Sequence, residues 1–326
     1  MKIGVPLNVS RRRLTINIVV TLFGGAVLVI FLTLLGLLYW MTAPVKLPSE
    51  YALAGSAVSS SVILRSQSQD ELPAPLVTRL TSDLPTQVER LIASASESSI
   101  QIVTATVQTS SAQPEPFIAI SLTRSPGRFW LVRRDIVNRI ERQSLPFSIQ
   151  YSDDEVIFAG LEDRTPAGAF SLSGCSLIRA ARPELVEQAL GRLQPAREAV
   201  APGPYEGLPQ SSDIRGWSED WRNSMALGLL LPEALLSQWN RLPKALNPDS
   251  SEAGAHAVQF WGEWLDGGTA RIHVRYTPSG DAAAAAAEEA DAWLQERGGE
   301  FGLQLPGASV VGEDVQLDFT ISLEGK

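Results

Sequence analysis

From Leu14 to Val45 the chain carries no charged residue, and Leu14 to Trp40 reads LTINIVVTLFGGAVLVIFLTLLGLLYW. As a helix this run would extend about 40 Å at 1.5 Å per residue, against a hydrocarbon core of about 30 Å, so it predicts a tilted transmembrane span over residues 14–41. A cleavable signal peptide has an apolar core of about 7 to 15 residues followed by small residues. This run is longer and ends in Leu37-Leu38-Tyr39-Trp40, with aromatic side chains suited to the membrane interface. Arg11, Arg12 and Arg13 precede it, which predicts an N-terminus retained in the cytoplasm (residues 1–13) and everything after the span outside. Asn17 lies within a turn of the cytoplasmic end, and Thr21 and Gly25 form a small-xxx-small pair through which two copies could associate.

Beyond the span the pattern changes repeatedly. Residues 42–75 are proline- and serine-rich and read as a tether with one short strand at Val62 to Leu64. A first unit, 76–193, begins with helical spacing of Leu76, Leu80, Leu84, Val88, Leu91 and Ile92. Runs rich in β-branched residues at 100–108 and 117–122 predict strands. An amphipathic helix follows at 129–142, with Phe129, Val132, Ile136, Val137 and Ile140 on one side. Strands at 147–151 and 155–159 flank the turn Ser152-Asp153-Asp154, 170–178 reads as a single further strand, and Pro183 opens a helix to Leu193. Residues 194–213 hold four prolines without periodicity and read as an interdomain linker.

The second unit, 214–326, reads as a strand at 225–231, a helix from Pro232 to about Leu242, a hairpin, a helix at 281–297 and a final strand. The hairpin is FWGEWLDGGTARIHVRY (260–276); the long helix contains six consecutive alanines, the best helix formers. In the final strand Val315, Leu317, Phe319, Ile321 and Leu323 alternate with polar residues, the period of a half-buried strand. The expected fold class is α+β: a transmembrane helix followed by two antiparallel-sheet and helix units, the second with the split βαβ order of ferredoxin-like domains.

The hairpin is the densest cluster of chemistry-bearing side chains. A two-residue loop would mix apolar and charged residues on both faces, whereas a three-residue loop, Asp266-Gly267-Gly268, separates them. Val258, Phe260 and Trp264 then share a side with Ala270, Ile272, Val274 and Tyr276. On the other side Glu263 faces Arg271, Trp261 faces His273 and Gln259 faces Arg275. This is expected to be a cross-strand ladder rather than a catalytic constellation, because His273 lies between two arginines and no nucleophile is close in sequence. A second histidine, His256, falls just before the strand, and the two make no zinc set.

Charge narrows the function classes. Four basic residues and no acids precede Leu14, leaving 23 basic against 36 acidic residues, about −13, for the rest. That balance argues against nucleic acid as a partner, since such affinity comes from neutralising phosphates. Cys175 is the sole cysteine, which excludes an internal disulfide and a cysteine metal cluster, and its apolar context predicts a buried thiol. Phosphate-binding glycine loops, nucleophile elbows and dinucleotide fingerprints are missing, so no catalytic, cofactor-binding or metal-binding residue and no cofactor is assigned. Asp153-Asp154-Glu155 fits a hairpin turn and lacks the spacing of a calcium loop.

Two clusters remain as partner-docking candidates. Arg128, Arg133, Arg134, Arg139 and Arg142 crowd one helix of an acidic unit, and their planar forks suit an acidic partner, anionic lipid headgroups or an anionic wall polymer, or else form a solvated face paired with the unit's own acids. Trp217 and Trp221, four apart in WSEDW, would share one side of a helical turn. The sequence therefore predicts a single-pass protein of a bacterial inner membrane, with its folded part in the periplasm, that binds or scaffolds other envelope components. An anchored enzyme acting on wall polymer or peptide is the alternative. A small-ligand sensor is a third reading, weakened by a cytoplasmic part of about 13 residues.

Overall fold

The computed structural model describes residues 8–45, 58–66, 76, 80–81, 83–94, 99–107, 115–124, 126–152, 155–161, 168–193, 205–219, 258–266, 269–278 and 283–322. It is a mixed α+β protein in which one N-terminal apolar helix leads into a large antiparallel sheet. Helix α1 runs Asn8–Thr42. Its segment Val19–Thr42 has a mean hydropathy of 2.5 and is not buried against the rest of the chain, so it is long and apolar enough to cross a membrane.

Among the described residues twelve strands form a single sheet. They are β1 (Val58–Ser66), β2 (Ile100–Val107), β3 (Glu115–Leu122), β4 (Phe147–Ser152), β5 (Glu155–Gly160) and β6 (Ala169–Ser173). The rest are β7 (Ser176–Ala180), β8 (Ile214–Ser218), β9 (Val258–Asp266), β10 (Thr269–Tyr276), β11 (Leu303–Val311) and β12 (Asp314–Ser322). Their spatial order is β11-β12-β10-β9-β8-β1-β2-β3-β7-β6-β5-β4. Every ladder among them is antiparallel.

At the centre β1 pairs β8, with Val62 opposite Gly216. Outward from this seam the order β1-β2-β3-β7 on one side matches β8-β9-β10-β12 on the other. In both halves three neighbouring strands of the sheet are followed along the chain by a helix and by strands whose last member pairs with the third. The first half adds the β4–β5 hairpin at its edge. The parallel, crossover-linked pair of a split βαβ unit does not occur among the described strands: β8 and β9 are antiparallel neighbours.

Helices α2 (Thr86–Ala93), α3 (Pro126–Glu141) and α5 (Ala283–Arg297) cover one face of the sheet. Val62, Leu64, Ile214 and Phe260 carry this core across the seam to Ile272 and Val274. The opposite face is apolar over the first half, where Ile63, Val103, Ala119 and Ile178 meet helix α4 (Pro183–Leu193), Tyr205 and Leu208.

Several expectations need correction. The short strand expected at Val62 to Leu64 is present but is longer, the nine-residue β1 at the middle of the sheet; its flanking serines hid its extent, and Ser60 is satisfied by a 2.9 Å bond to Thr106 Oγ1. The single strand expected at 170–178 is the hairpin β6–β7, turning at Gly174 with φ +56°. Strand β11 was not foreseen, because Pro306 and Gly307 break its pattern. Proline is tolerated there because β11 is an edge strand, and a register shift between Gln304 and Gly307 accommodates it. All six apolar residues of the first helical pattern are buried, and Leu76, Leu80 and Thr81 are helical, but the helix is not continuous: Asp83 takes φ +67° and α2 starts afresh at Thr86. The strand and helix expected at 225–242 lie outside the described residues.

Candidate functional site

The alternation of β9, β10 and β12 places one row of side chains from each strand on the face opposite α5. The register is the expected one: Glu263 faces Arg271, Trp261 faces His273, and Gln259 faces Arg275. The means differs from the expected three-residue loop. Asp266 closes the ladder opposite Thr269, and the next pair is Trp264 with Ala270, so Leu265 is an extra, bulged residue. A two-residue connection plus one bulge shifts the register by the same single step.

β12 completes the row from the other side. His273 faces Asp318, Arg275 faces Gln316 and Arg271 faces Thr320. His273 Nδ1 lies 2.5 Å from Asp318 Oδ1, and Gln316 Nε2 donates to the same carboxylate at 2.9 Å. Burial raises the Asp318 carboxyl, but the hydrogen bonds from His273 and Gln316, with the histidine's charge, outweigh it and hold its pKa below the ordinary carboxylate value. The imidazole stacks on Trp261 with centroids 5.4 Å apart and 19° between planes. The Arg275 guanidinium lies 5.4 Å from the centroid of the same indole, donates to Gln259 Oε1 at 2.6 Å and sits 3.9 Å from Asp314. At the turn end Arg271 bonds Glu263 at 2.9 Å. The segment at 205–208 borders the row, and Gln259 donates to the Glu206 carbonyl at 3.2 Å. Arg215, buried at 2% exposure, lies in register between Ile63 and Trp261.

This brings a carboxylate to His273 that sequence distance concealed, 45 residues along the chain. The signal was present: Gln316, Asp318 and Thr320 alternate with the core residues of β12, and pairing that strand with β10 puts them beside Arg275, His273 and Arg271. An aspartate orienting a histidine is half of an acyl-transfer apparatus; the other half is a hydroxyl or thiol within reach of the imidazole. Among the described residues His273 has no such contact, and no group of three His, Cys, Asp or Glu side chains could hold a metal ion. The row is therefore a charge-paired, aromatic-stacked surface, with the His273 side chain 25% and the Asp318 side chain 40% exposed.

The arginines singled out from sequence lie elsewhere, on α3 and on the other face and half of the sheet. Arg133 pairs Glu155 at 3.2 Å and Arg139 pairs Asp135 at 2.9 Å. Arg134 lies over the Trp130 ring at 5.4 Å, and Arg128 and Arg142 are exposed. Trp217 is not in a helical turn. It is on β8, 5% exposed and packed in the core under α4. Trp221 lies outside the described residues.

The end of α1 meets the N-terminus of α3. Trp40 and Trp130 are edge to face with centroids 6.0 Å apart, and Gly127 packs so closely on Met41 that a Cβ there would be 2.7 Å from its Cγ. Pro44 bridges Arg124, and Val45 N donates to Thr123 O at 2.6 Å. The apolar helix is thus joined to the sheet by packing and backbone bonds. Comparison of the chain with family models, with curated proteins and with solved structures found no match.

Proposed function

We propose that this is a single-pass, N-in protein of a bacterial inner membrane whose sheet stands in the periplasm and binds other envelope components. The observation that carries the reading is the junction at Trp40, Met41 and Val45. An apolar helix exposed over Val19–Thr42 is packed against the folded part at one end, so inserting α1 would also set the height of that end of the sheet above the membrane. That suits a protein whose role is positional. Homo-oligomerisation through Thr21 and Gly25 is compatible with α1, since nothing approaches Gly25 within 4 Å. The surface assigned to an envelope protein partner is the far end of α3, with the exposed Arg139 and Arg142, rather than the buried Trp217.

The test is crosslinking of the tagged full-length protein in native membranes, followed by mass spectrometry. A specific protein should be recovered, and its yield should fall with Arg139→Glu and Arg142→Glu. Unchanged recovery from the double variant refutes this docking surface, and absence of any recovered partner refutes the binding role.

An anchored hydrolase is the second reading, favoured by the His273–Asp318 pair alone. It requires that His273→Gln abolish a measurable hydrolysis of wall polymer or peptide by the purified protein.

A further inference from the structure

The contact between Trp40 and Trp130 sets a depth. An apolar run from Leu14 to Trp40 is about as long as the bilayer with its headgroups is thick, about 40 Å, which leaves Trp40 at the outer interface when Arg11–Arg13 are at the inner one. Trp130 lies 6.0 Å from Trp40 between ring centroids. The start of α3 around Trp130 is therefore near that level. Four side chains at this end of the helix are exposed: Arg128, Trp130, Leu131 and Arg134. Trp130 is 39% and Leu131 45% exposed, which is unusual for large apolar groups on a short amphipathic helix whose other face is well buried against the sheet. Arg134 covers the indole, so two guanidinium groups flank an aromatic and an aliphatic side chain on the first turns of the helix.

We infer that this patch is a second membrane contact, with Trp130 and Leu131 in the headgroup layer and Arg128 and Arg134 on the phosphates of anionic phospholipids. Arginine suits that role because its planar fork binds phosphate oxygens in pairs, and tryptophan because its ring is apolar with one donor. The patch continues the interface made by α1, so no additional partner is needed to cover it. It acts as a brace: a helix crossing the bilayer at one point leaves the attached sheet free to tilt, and a lateral contact beside that point removes this freedom. The inference rests on α1 spanning the membrane, and the experiment separates the two.

The full-length protein, reconstituted in vesicles of phosphatidylcholine with or without phosphatidylglycerol, is spin-labelled at one introduced cysteine: Leu131→Cys in the patch, Val27→Cys in α1, or Tyr151→Cys at the far edge strand. Accessibility to oxygen and to a nickel chelate reports depth. The native Cys175 is buried and stays unlabelled, and its continued protection checks the fold of each variant. The Leu131→Cys label should report the headgroup layer in vesicles containing phosphatidylglycerol, the Val27→Cys label the hydrocarbon, and the Tyr151→Cys label water. Arg128→Gln and Arg134→Gln should each lower the lipid-contacting population of the Leu131→Cys label roughly fivefold. A water-exposed Leu131→Cys label with a deep Val27→Cys label overturns the patch and leaves the anchor standing. A water-exposed Val27→Cys label overturns the anchor and the patch with it. Equal depth in phosphatidylcholine alone overturns the anionic headgroup, and a Leu131→Cys label shielded from both reagents means that protein, not lipid, covers the patch.

Discussion

His273 on β10 and Asp318 on β12 stand directly opposite in the ladder, with Nδ1 and Oδ1 2.5 Å apart. Because the aspartate's folded pKa lies below its unfolded value of about 3.9, the pair contributes stability that is fully present above that value and is lost as pH falls through the folded pKa. Asp318→Asn should lower stability at neutral pH by a few tenths to about 1 kcal/mol, a modest figure because the pair is partly solvent-screened. The difference from the parent should vanish at acid pH below the usual carboxylate range. Thermal unfolding of the detergent-solubilised protein across about pH 1.5 to 7 measures this; a constant difference over that range would show that the carboxylate's charge is irrelevant.

Gly216 lies at the seam between the two halves of the sheet. A Cβ there would be 2.1 Å from Phe260 Cζ and 2.7 Å from the Ser61 carbonyl, one contact with a buried ring and one with backbone that cannot yield. Gly216→Val should cost about 3 kcal/mol or more, at the upper end of overpacking. Gly191, on the exposed side of α4 with nothing within 4 Å, is the control: Gly191→Ala should stabilise by about 0.5 to 1 kcal/mol. Equal effects of the two, measured by denaturant unfolding, would contradict the close approach at the seam.

Trp217 is buried, yet among the described residues its Nε1 has no hydrogen-bond partner. Trp217→Ala should therefore destabilise by about 3 to 5 kcal/mol, whereas Trp217→Phe, which removes the unsatisfied donor and keeps most of the volume, should cost no more than about 1.5 kcal/mol. Partner recovery in crosslinking should be unchanged by the phenylalanine variant. If recovery is lost while stability is kept, Trp217 has a binding role that its burial does not suggest.

Cys175 sits in the β6–β7 turn with its thiol buried, and burial pushes its pKa up to about 11. At pH 8 about one molecule in 10³ carries the thiolate. Iodoacetamide should modify the folded protein far more slowly than the denatured one, with mass spectrometry as readout. Rapid alkylation without unfolding would show that the turn opens readily.

The sequence by itself determined whatever depends on local period and composition. The uncharged run to Val45 specified α1, and the alternation in 258–276 specified the faces and register of β9 and β10. The apolar spacing at 129–142 and 183–193 specified α3 and α4. These elements follow from near neighbours, since a one-residue slip would turn a whole strand's core residues to solvent. Only the tertiary structure decided what pairs with what. The serine-rich β1 became a central strand because two strands, β2 and β8, satisfy its backbone; β11 tolerates Pro306 because it is an edge; and Trp217 became core because α4 lies on it. His273 acquired Asp318 in the same way, through a ladder between strands whose partners are 45 residues apart, a distance over which hydrophobic periodicity carries no information about pairing.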